Sequence, residues 1–408
     1  MFARTSSNTN SALNVSLLWF GAAVSIAEIL TGTMLAPLGM TKGFAAIIAG
    51  HFIGGIVLYL AGVIGANKHC SSSESIRMSF GRSGSFTFSI LNTIQLIGWI
   101  SIMIIIGSQA LDKLATQLWN LPNYHLLWSI ILGILPCVWV ISTHKFMSKL
   151  NIVVMFCLLV ASLWLGFSTI FGTSQIATPA DNSMSFGTAV ELNIAMCLSW
   201  MPVISDYTRT LKNPFSGTFS CVCAYCFGGI LMYSIGLGAA IHYGTADICT
   251  IFTLAGFGVI SLIVIILSTV TTNFIAIHSS GICVNHIINI EPKVVSIFVC
   301  ILSTCLSIFL SMEQYEAFLY FIAAIFAPLF AISFSEYFLT NNIYNRSSKI
   351  TIKNCILWIV GFIIYEALIQ FNITTSIGLT APLMIVLALV NLFVSRFIKT
   401  NPYSIGRY

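Results

Sequence analysis

Glu28 is the residue in this 408-residue chain that most needs a chemical explanation, because it stands in the middle of a long apolar run. An ionised acid at the centre of a membrane helix costs roughly 2.5–3.5 kcal/mol on insertion scales. No Lys or Arg falls at the centre of any apolar run, so an ion pair is not on offer. A ligand, a proton or a hydrogen-bonded neutral form remains. In another run, Gln95 and Trp99 stand four apart and share one helix face. An aromatic plane beside an amide suits a flat heterocycle: the ring stacks and the amide reads its polar edge. Trp200, also mid-run, would close the other face. A membrane Trp is more often an interfacial anchor or a packing residue, but neither of these two lies at a run boundary. A third run reads Ser268-Thr269-Val270-Thr271-Thr272-Asn273. Ser268, Thr271 and Thr272 share a face, and beside freed backbone carbonyls their hydroxyls would form an oxygen cage for a hard monovalent cation. The plainer alternative is that they bond back to their own helix. Asn273 adds a donor and an acceptor at the same level.

The elements that must position these residues follow from composition. Apolar residues make up 57% of the chain and charged ones 7%, too few charges to clothe a soluble surface, where about 25% is usual. Hydrocarbon must face most of the exterior, and a core of roughly 30 Å needs about 20 apolar residues per helix. Apolar runs predict spans near 15–38, 43–66, 86–111, 124–143, 150–172 and 188–206, then 216–243, 250–279, 294–311, 315–339, 352–371 and 376–397. The first run is too long for a signal-peptide core and has no A-x-A exit, so it reads as a retained helix. Twelve spans with both termini inside place 15 of the 17 Lys+Arg residues on the inner side: Arg4, Lys68, Arg77, Arg82, Lys145, Lys149, Arg209, Lys212, Lys293, Arg346, Lys349, Lys353, Arg396, Lys399 and Arg407. Lys42 and Lys113 stay outside. One span more or fewer would scramble this alternation.

The spans divide as five, five and two. Span one carries Gly21, Gly32 and Pro37 around a Ser-Ile-Ala-Glu stretch, and span six carries Pro202, which frees the carbonyl four residues earlier. Paired broken helices in two halves predict an inverted-repeat transporter with a site at mid-membrane; packing alone is the alternative for any one of these residues. The twelve cysteines show no CxxC or Cys/His spacing, and Cys157, Cys197, Cys221, Cys223 and Cys226 read as small buried thiols. His51 reads as a hydrogen-bonded packing residue, and Glu366 as structural or protonated. Asp206 and Arg209 are expected to pair with each other or with Glu336, a cytoplasmic gate being the functional alternative. No basic run interleaved with aromatics suggests nucleic acid, and nothing points to a protein partner.

Several stretches match a known family over nearly the full length. They are Arg77-Met-Ser-Phe-Gly-Arg-Ser-Gly-Ser85, Gln95 to Trp99, Ser205-Asp-Tyr-Thr-Arg209, and Thr271-Thr-Asn273 followed by Ser280-Gly281. The chain resembles nucleobase:cation symporters of the purine–cytosine permease type. Its run from Trp19 to Thr33, ending in Ala36-Pro-Leu-Gly39, looks like the CytX branch, associated with import of hydroxymethylpyrimidine, the pyrimidine precursor of thiamine. The resemblance implies an all-α membrane fold, a LeuT-type 5+5 inverted repeat plus two C-terminal helices. On that basis 1–408 is one transporter domain, with repeats near 15–172 and 188–339 and the last helices near 352–397. It implies a pyrimidine stacked on Trp99, faced by Trp200 and read by Gln95, Asn273 and Glu28, in a bacterial inner membrane. It also implies sodium as coupling ion, held by the carbonyls of Gly21 and Ser25 and by Ser268, Thr271 and Thr272. Two departures stand out. Gln95 lies four residues before Trp99, where cytosine permeases place it three before, and Glu28 replaces a small polar residue.

Two other classes are disfavoured. An integral-membrane enzyme needs a metal cluster or a nucleophile–base pair, and the sequence offers neither. A channel predicts a polar pore without an aromatic sandwich.

Overall fold

The computed structural model describes residues 11–121, 123–141, 144–172, 183–288, 290–340 and 350–397. Arg4, Arg346, Lys349, Lys399 and Arg407, which carry part of the charge argument, lie outside the described residues, as do the side chains of Lys145 and Lys149. The described residues form helices α1 (Ala12–Ala23), α2 (Ile26–Met34), α3 (Gly39–Lys68), α4 (Ser72–Trp119), α5 (His125–Ile141), α6 (His144–Phe171) and α7 (Phe186–Thr208). There follow α8 (Pro214–Tyr243), α9 (Ile248–Phe252), α10 (Val259–Ile288), α11 (Pro292–Phe309), α12 (Tyr315–Phe334), α13 (Ile352–Gln370) and α14 (Thr380–Phe397). Among the described residues nine helices are long and apolar enough to cross a membrane; α1 and α2 together make one bent span, and two shorter apolar helices lie within α5 and α14. Eleven of the twelve predicted spans therefore fall on one helix or on that bent pair among the described residues.

Two expectations need correction. Span six was expected to break at Pro202, yet α7 runs unbroken through it. A proline ring in a membrane helix is tolerated when neighbours re-satisfy the freed backbone, and α7 is buried along most of its length. The run at 250–279 is not one span. α9 is a single short turn, and a wide turn over Thr253–Phe257, with Gly256 at φ 92° and Gly258 at φ 50°, redirects the chain before α10 starts. Positive φ at both positions is a conformation that glycine adopts without strain.

Packing sorts the spans into two groups. Helices α1, α2, α3, α7 and α8 (spans one, two, six and seven) pack on one another, and α4, α5, α10 and α11 (spans three, four, eight and nine) form a second set. Lipid tails are as apolar as Leu, so association inside each set depends on close approach and on polar bonds. Both occur between α3 and α7. Gly50, Gly54 and Gly65 leave room for Asn193, Cys197 and Ser205. Ser205 and Thr208 donate hydroxyl bonds of 2.9 and 2.8 Å to the carbonyls of Ala61 and Gly62. Between α2 and α8 the approach is closer still: a Cβ on Gly32 would strike the backbone of Tyr233, and one on Gly236 the carbonyl of Ile29.

All twelve cysteines are free thiols. Cys197 and Cys221 are buried and Cys226 half-buried, as small packing residues should be, but Cys157 and Cys223 are exposed on the outer face, where a thiol meets hydrocarbon at little cost.

Candidate substrate and cation site

The break between α1 and α2 begins with one residue. Ser25 is extended (φ −136°, ψ 155°), and its N–H donates to Ala23 O at 2.9 Å instead of to the carbonyl four residues back, Gly21 O. The two helices consequently bend by 49°. The Ser25 hydroxyl accepts the Glu28 N–H at 3.3 Å and so caps α2. Capping sets Glu28 in the first turn, at the electropositive end of a helix, where a carboxyl group is favoured. Glu28 is 1% exposed. Its Oε1 accepts the Tyr225 hydroxyl at 2.9 Å, and no donor among the described residues reaches Oε2.

Gln95, Trp99, Trp200 and Asn273 are brought to one level by two bonds. Gln95 Nε2 donates to the carbonyl of Ser199, the neighbour of Trp200, at 2.9 Å, and also to Asn92 Oδ1 at 2.9 Å. Asn273 Nδ2 donates to the carbonyl of Ile100, the neighbour of Trp99, at 3.4 Å. Gln95 Oε1, Asn273 Oδ1 and Trp200 Nε1 are buried without a partner among the described residues. A buried polar atom left unpaired costs about 1–3 kcal/mol. Four of them on α2, α4, α7 and α10, counting Glu28 Oε2, form a hydrogen-bonding set suited to a polar ring.

The aromatic walls are held edge-on. Trp99 meets Tyr315 and Phe318 of α12 at centroid distances of 6.0 and 5.4 Å. Trp200 meets Trp19 at 5.6 Å and Tyr225 at 6.3 Å. Such T-shaped pairs hold each tryptophan at a set angle beside the polar atoms.

For the cation, Gly21 and Ser25 flank the break, and α2 touches α10. The Gly21 carbonyl has lost its usual amide. The Ser25 carbonyl is engaged only by a long 3.5 Å bond from Ile29 N. On α10, Ser268 and Thr271 are buried and Thr272 is half-buried. The Thr271 hydroxyl donates to Ser268 O at 3.0 Å, so the back-bonding alternative holds for this residue. A hydroxyl that has donated its proton still has lone pairs for a cation.

The outlying charges fall differently from expectation. Glu336 pairs with Lys353 Nζ at 2.7 Å and accepts from Asn391. Arg209 Nε donates to the Asp206 backbone carbonyl, and the Asp206 carboxyl accepts the Ser72 N–H at 3.1 Å, binding the start of α4 to the end of α7. His51 is buried, with Nδ1 3.0 Å from Ile47 O and its ring edge-on to Tyr233. Glu366 is half-buried on α13. Two residues were missed: Tyr225, the partner of Glu28, and Glu191, a buried acid on α7 that accepts bonds from α13 and the start of α14. The signal for Glu191 was present, an acid near the start of a span with no cation nearby in sequence.

Comparison with known proteins accords with this architecture. A family profile described as permease for cytosine/purines, uracil, thiamine and allantoin matches residues 4–401. The cytosine permease of Escherichia coli strain K12 is 25% identical over 319 residues, covering 77% of this chain and 74% of that protein. Among solved structures, inward-facing Mhp1 aligns with TM-score 0.78 at 18% identity, covering 94% of this chain and 89% of Mhp1. Mhp1 in a closed conformation with bromovinylhydantoin bound, described as a nucleobase-cation-symport-1 family transporter, aligns at 0.77 and 18%. MhsT in complex with L-phenylalanine aligns at 0.58 and 15%, covering 95% of this chain and all of MhsT, as expected for the LeuT-type fold. A polytopic helical fold with that topology, matched almost end to end by the profile, establishes that the chain belongs to the nucleobase:cation symporter family of cytosine/purine permeases and is a membrane transporter, not an enzyme.

Proposed function

We propose that this permease imports a small aminopyrimidine, 4-amino-5-hydroxymethyl-2-methylpyrimidine, by sodium-coupled alternating access, with both termini on the cytoplasmic side of a bacterial inner membrane. The observation that carries this is Glu28: a fully buried carboxyl with one oxygen engaged by Tyr225 and the other unpartnered. An aminopyrimidine offers a ring nitrogen beside an amino donor, and a carboxyl group can meet that edge with two hydrogen bonds. Oε1 retains a lone pair after accepting from Tyr225, and Oε2 has all of its own. A proton shared between the ring nitrogen and the carboxyl would relieve the cost of burying a bare charge. Gln95 Oε1 and Asn273 Oδ1 are then acceptors for the remaining N–H and O–H groups, with the ring between Trp99 and Trp200. Gly21, Ser25, Ser268, Thr271 and Thr272 supply the sodium ligands.

Cytosine or a related nucleobase, with proton coupling, is the second reading, favoured by the match to the E. coli cytosine permease. Cytosine shares the ring nitrogen–amino edge but carries a carbonyl on the other side of that nitrogen, whose oxygen repels the carboxyl oxygen that would meet the ring. Counterflow in liposomes, with and without sodium, decides between them. Glu28→Gln should cost affinity for the 4-aminopyrimidine more than for cytosine. A Glu28→Gln variant that binds both with wild-type affinity yet loses concentrative uptake assigns Glu28 to coupling and removes it from the ligand.

A further inference from the structure

We infer that Tyr225 and Tyr315 are positioning residues of the site, hooking each aromatic wall to the short helix α2 and, at Tyr225, aiming the Glu28 carboxyl. The inference rests on the proposed role of Glu28 and adds residues that neither the sequence motifs nor the family match single out. Glu28 and Thr31 are three apart on α2 and share a face. Tyr225, from α8, donates to Glu28 Oε1 at 2.9 Å, and its ring lies edge-on to Trp200 at 6.3 Å and to Trp19 at 6.1 Å. Tyr315, from α12, meets Thr31 Oγ1 at 2.8 Å, and its ring lies edge-on to Trp99 at 6.0 Å. The Thr31 proton is already given to Ala27 O at 2.9 Å, so Tyr315 is the donor to Thr31. Both tyrosines are buried, Tyr225 at 0% and Tyr315 at 2% exposure. Each therefore spends its only proton on α2 and sets its ring in a T-shaped contact with a wall.

The consequence differs between the two. The Tyr225 hydroxyl fixes the carboxyl plane by occupying one oxygen and leaves Oε2 without a partner among the described residues. Its loss should blur recognition of the amino edge. Tyr315 bonds to Thr31, which reads no part of that edge, and its ring contact is with the stacking wall, which every flat ring uses.

The test is ligand binding by purified protein in nanodiscs, with 4-amino-5-hydroxymethyl-2-methylpyrimidine and uracil, which lacks the exocyclic amino group, as probes. Tyr225→Phe keeps the ring and removes the hydroxyl. It should weaken the aminopyrimidine by about three- to tenfold, the worth of one hydrogen bond, with uracil changed less than about twofold. Tyr315→Phe should weaken both probes by the same factor. If Tyr225→Phe unfolds, 3-fluorotyrosine at position 225 keeps the shape and strengthens the donor, and a shift in the ratio of the two affinities is expected instead. Equal weakening of both probes by Tyr225→Phe marks a merely structural tyrosine and overturns the inference. An unchanged ratio in Tyr225→Phe, with a changed ratio in Glu28→Gln, overturns it while leaving the role of Glu28 intact. An unchanged ratio in both variants removes Glu28 from recognition and takes Tyr225 with it.

Discussion

Replacing Glu191 with Leu should detach the last two helices from the bundle, and the bonding at this residue sets the magnitude. Glu191 is 1% exposed. Its Oε2 accepts the Leu379 and Thr380 amides at 2.7 and 2.9 Å, and its Oε1 accepts the Thr380 hydroxyl at 2.5 Å and the Tyr365 hydroxyl. Those two amides belong to the start of α14, where no carbonyl of the helix itself can reach them. Gly378, at φ 78°, brings the chain so near that a Cβ there would collide with Oε2. Leucine fills the volume but leaves two backbone donors unpaired at about 1–3 kcal/mol each, or about 2–6 kcal/mol together. Glutamine is a sharper control. Its carbonyl oxygen can take both amides, and its NH2 can donate to the oxygens of Tyr365 and Thr380, so the loss reduces to the charge–dipole attraction at a helix N-terminus, about 0.3–2 kcal/mol. Equilibrium unfolding in mixed micelles measures both variants. A Leu variant within about 1 kcal/mol of wild type, or a Gln variant as damaged as Leu, would refute the bonding account.

Trp99→Ala removes a stacking face worth about 0.5–1.5 kcal/mol beyond area burial, so binding of any flat ring should weaken at least two- to tenfold; a folded variant with unchanged affinity takes Trp99 out of the site. Thr272→Ala should lower sodium-stimulated uptake, whose driving force is about 2.3 kcal/mol per charge per 100 mV; wild-type binding indifferent to sodium but rising at low pH excludes a sodium site there. Lys113 Nζ bridges Asp247 Oδ2 and Thr250 Oγ1 at 2.5 Å each. Burial alone would raise the Asp247 carboxyl, but the bonds from Lys113 and Thr250 outweigh it and hold it below its ordinary value. A depressed carboxyl stabilises fully at neutral pH and loses its contribution as pH falls through the lowered value. Because both side chains are about a third or more exposed (32% and 46%), Asp247→Asn should cost at most about 1 kcal/mol at pH 7. That gap should close in strong acid; a gap that persists there would assign the effect to something other than charge.

The spans were legible because hydrocarbon demands long apolar runs and leaves no other way to satisfy a backbone. The break in span one was legible, because Gly21, Gly32 and Pro37 bracket the Ser-Ile-Ala-Glu stretch whose first residue, Ser25, turns the chain. That its side chain caps the next helix was not legible. Pro202 misled for the converse reason: a missing donor weakens a helix locally, and burial among other helices overrides it. Gln95, Trp99, Trp200 and Asn273 were visible as mid-span polar and aromatic residues at helical spacing, and the structure ties them together through the Ser199 and Ile100 carbonyls. Tyr225 and Glu191 escaped notice because their partners lie 197 and 174–189 residues away. Periodicity reports which face a residue occupies, not which distant donor meets it there.

The glycine contact between α2 and α8 has a mechanical corollary. With the Gly32 Cα pressed on the Tyr233 backbone and Gly236 on the Ile29 carbonyl, backbone meets backbone at these two points, with no side chain between to act as bearing or lubricant. α2 cannot tilt away from α8 without opening a void along a bare seam, nor slide past it without backbone collision. The break at Ser25 therefore does not release a free half-helix: α2 is seated on α8, which packs on α1 as well. Because α8 also carries Tyr225, Glu28 and its hydroxyl partner stand on two helices that can shift only together.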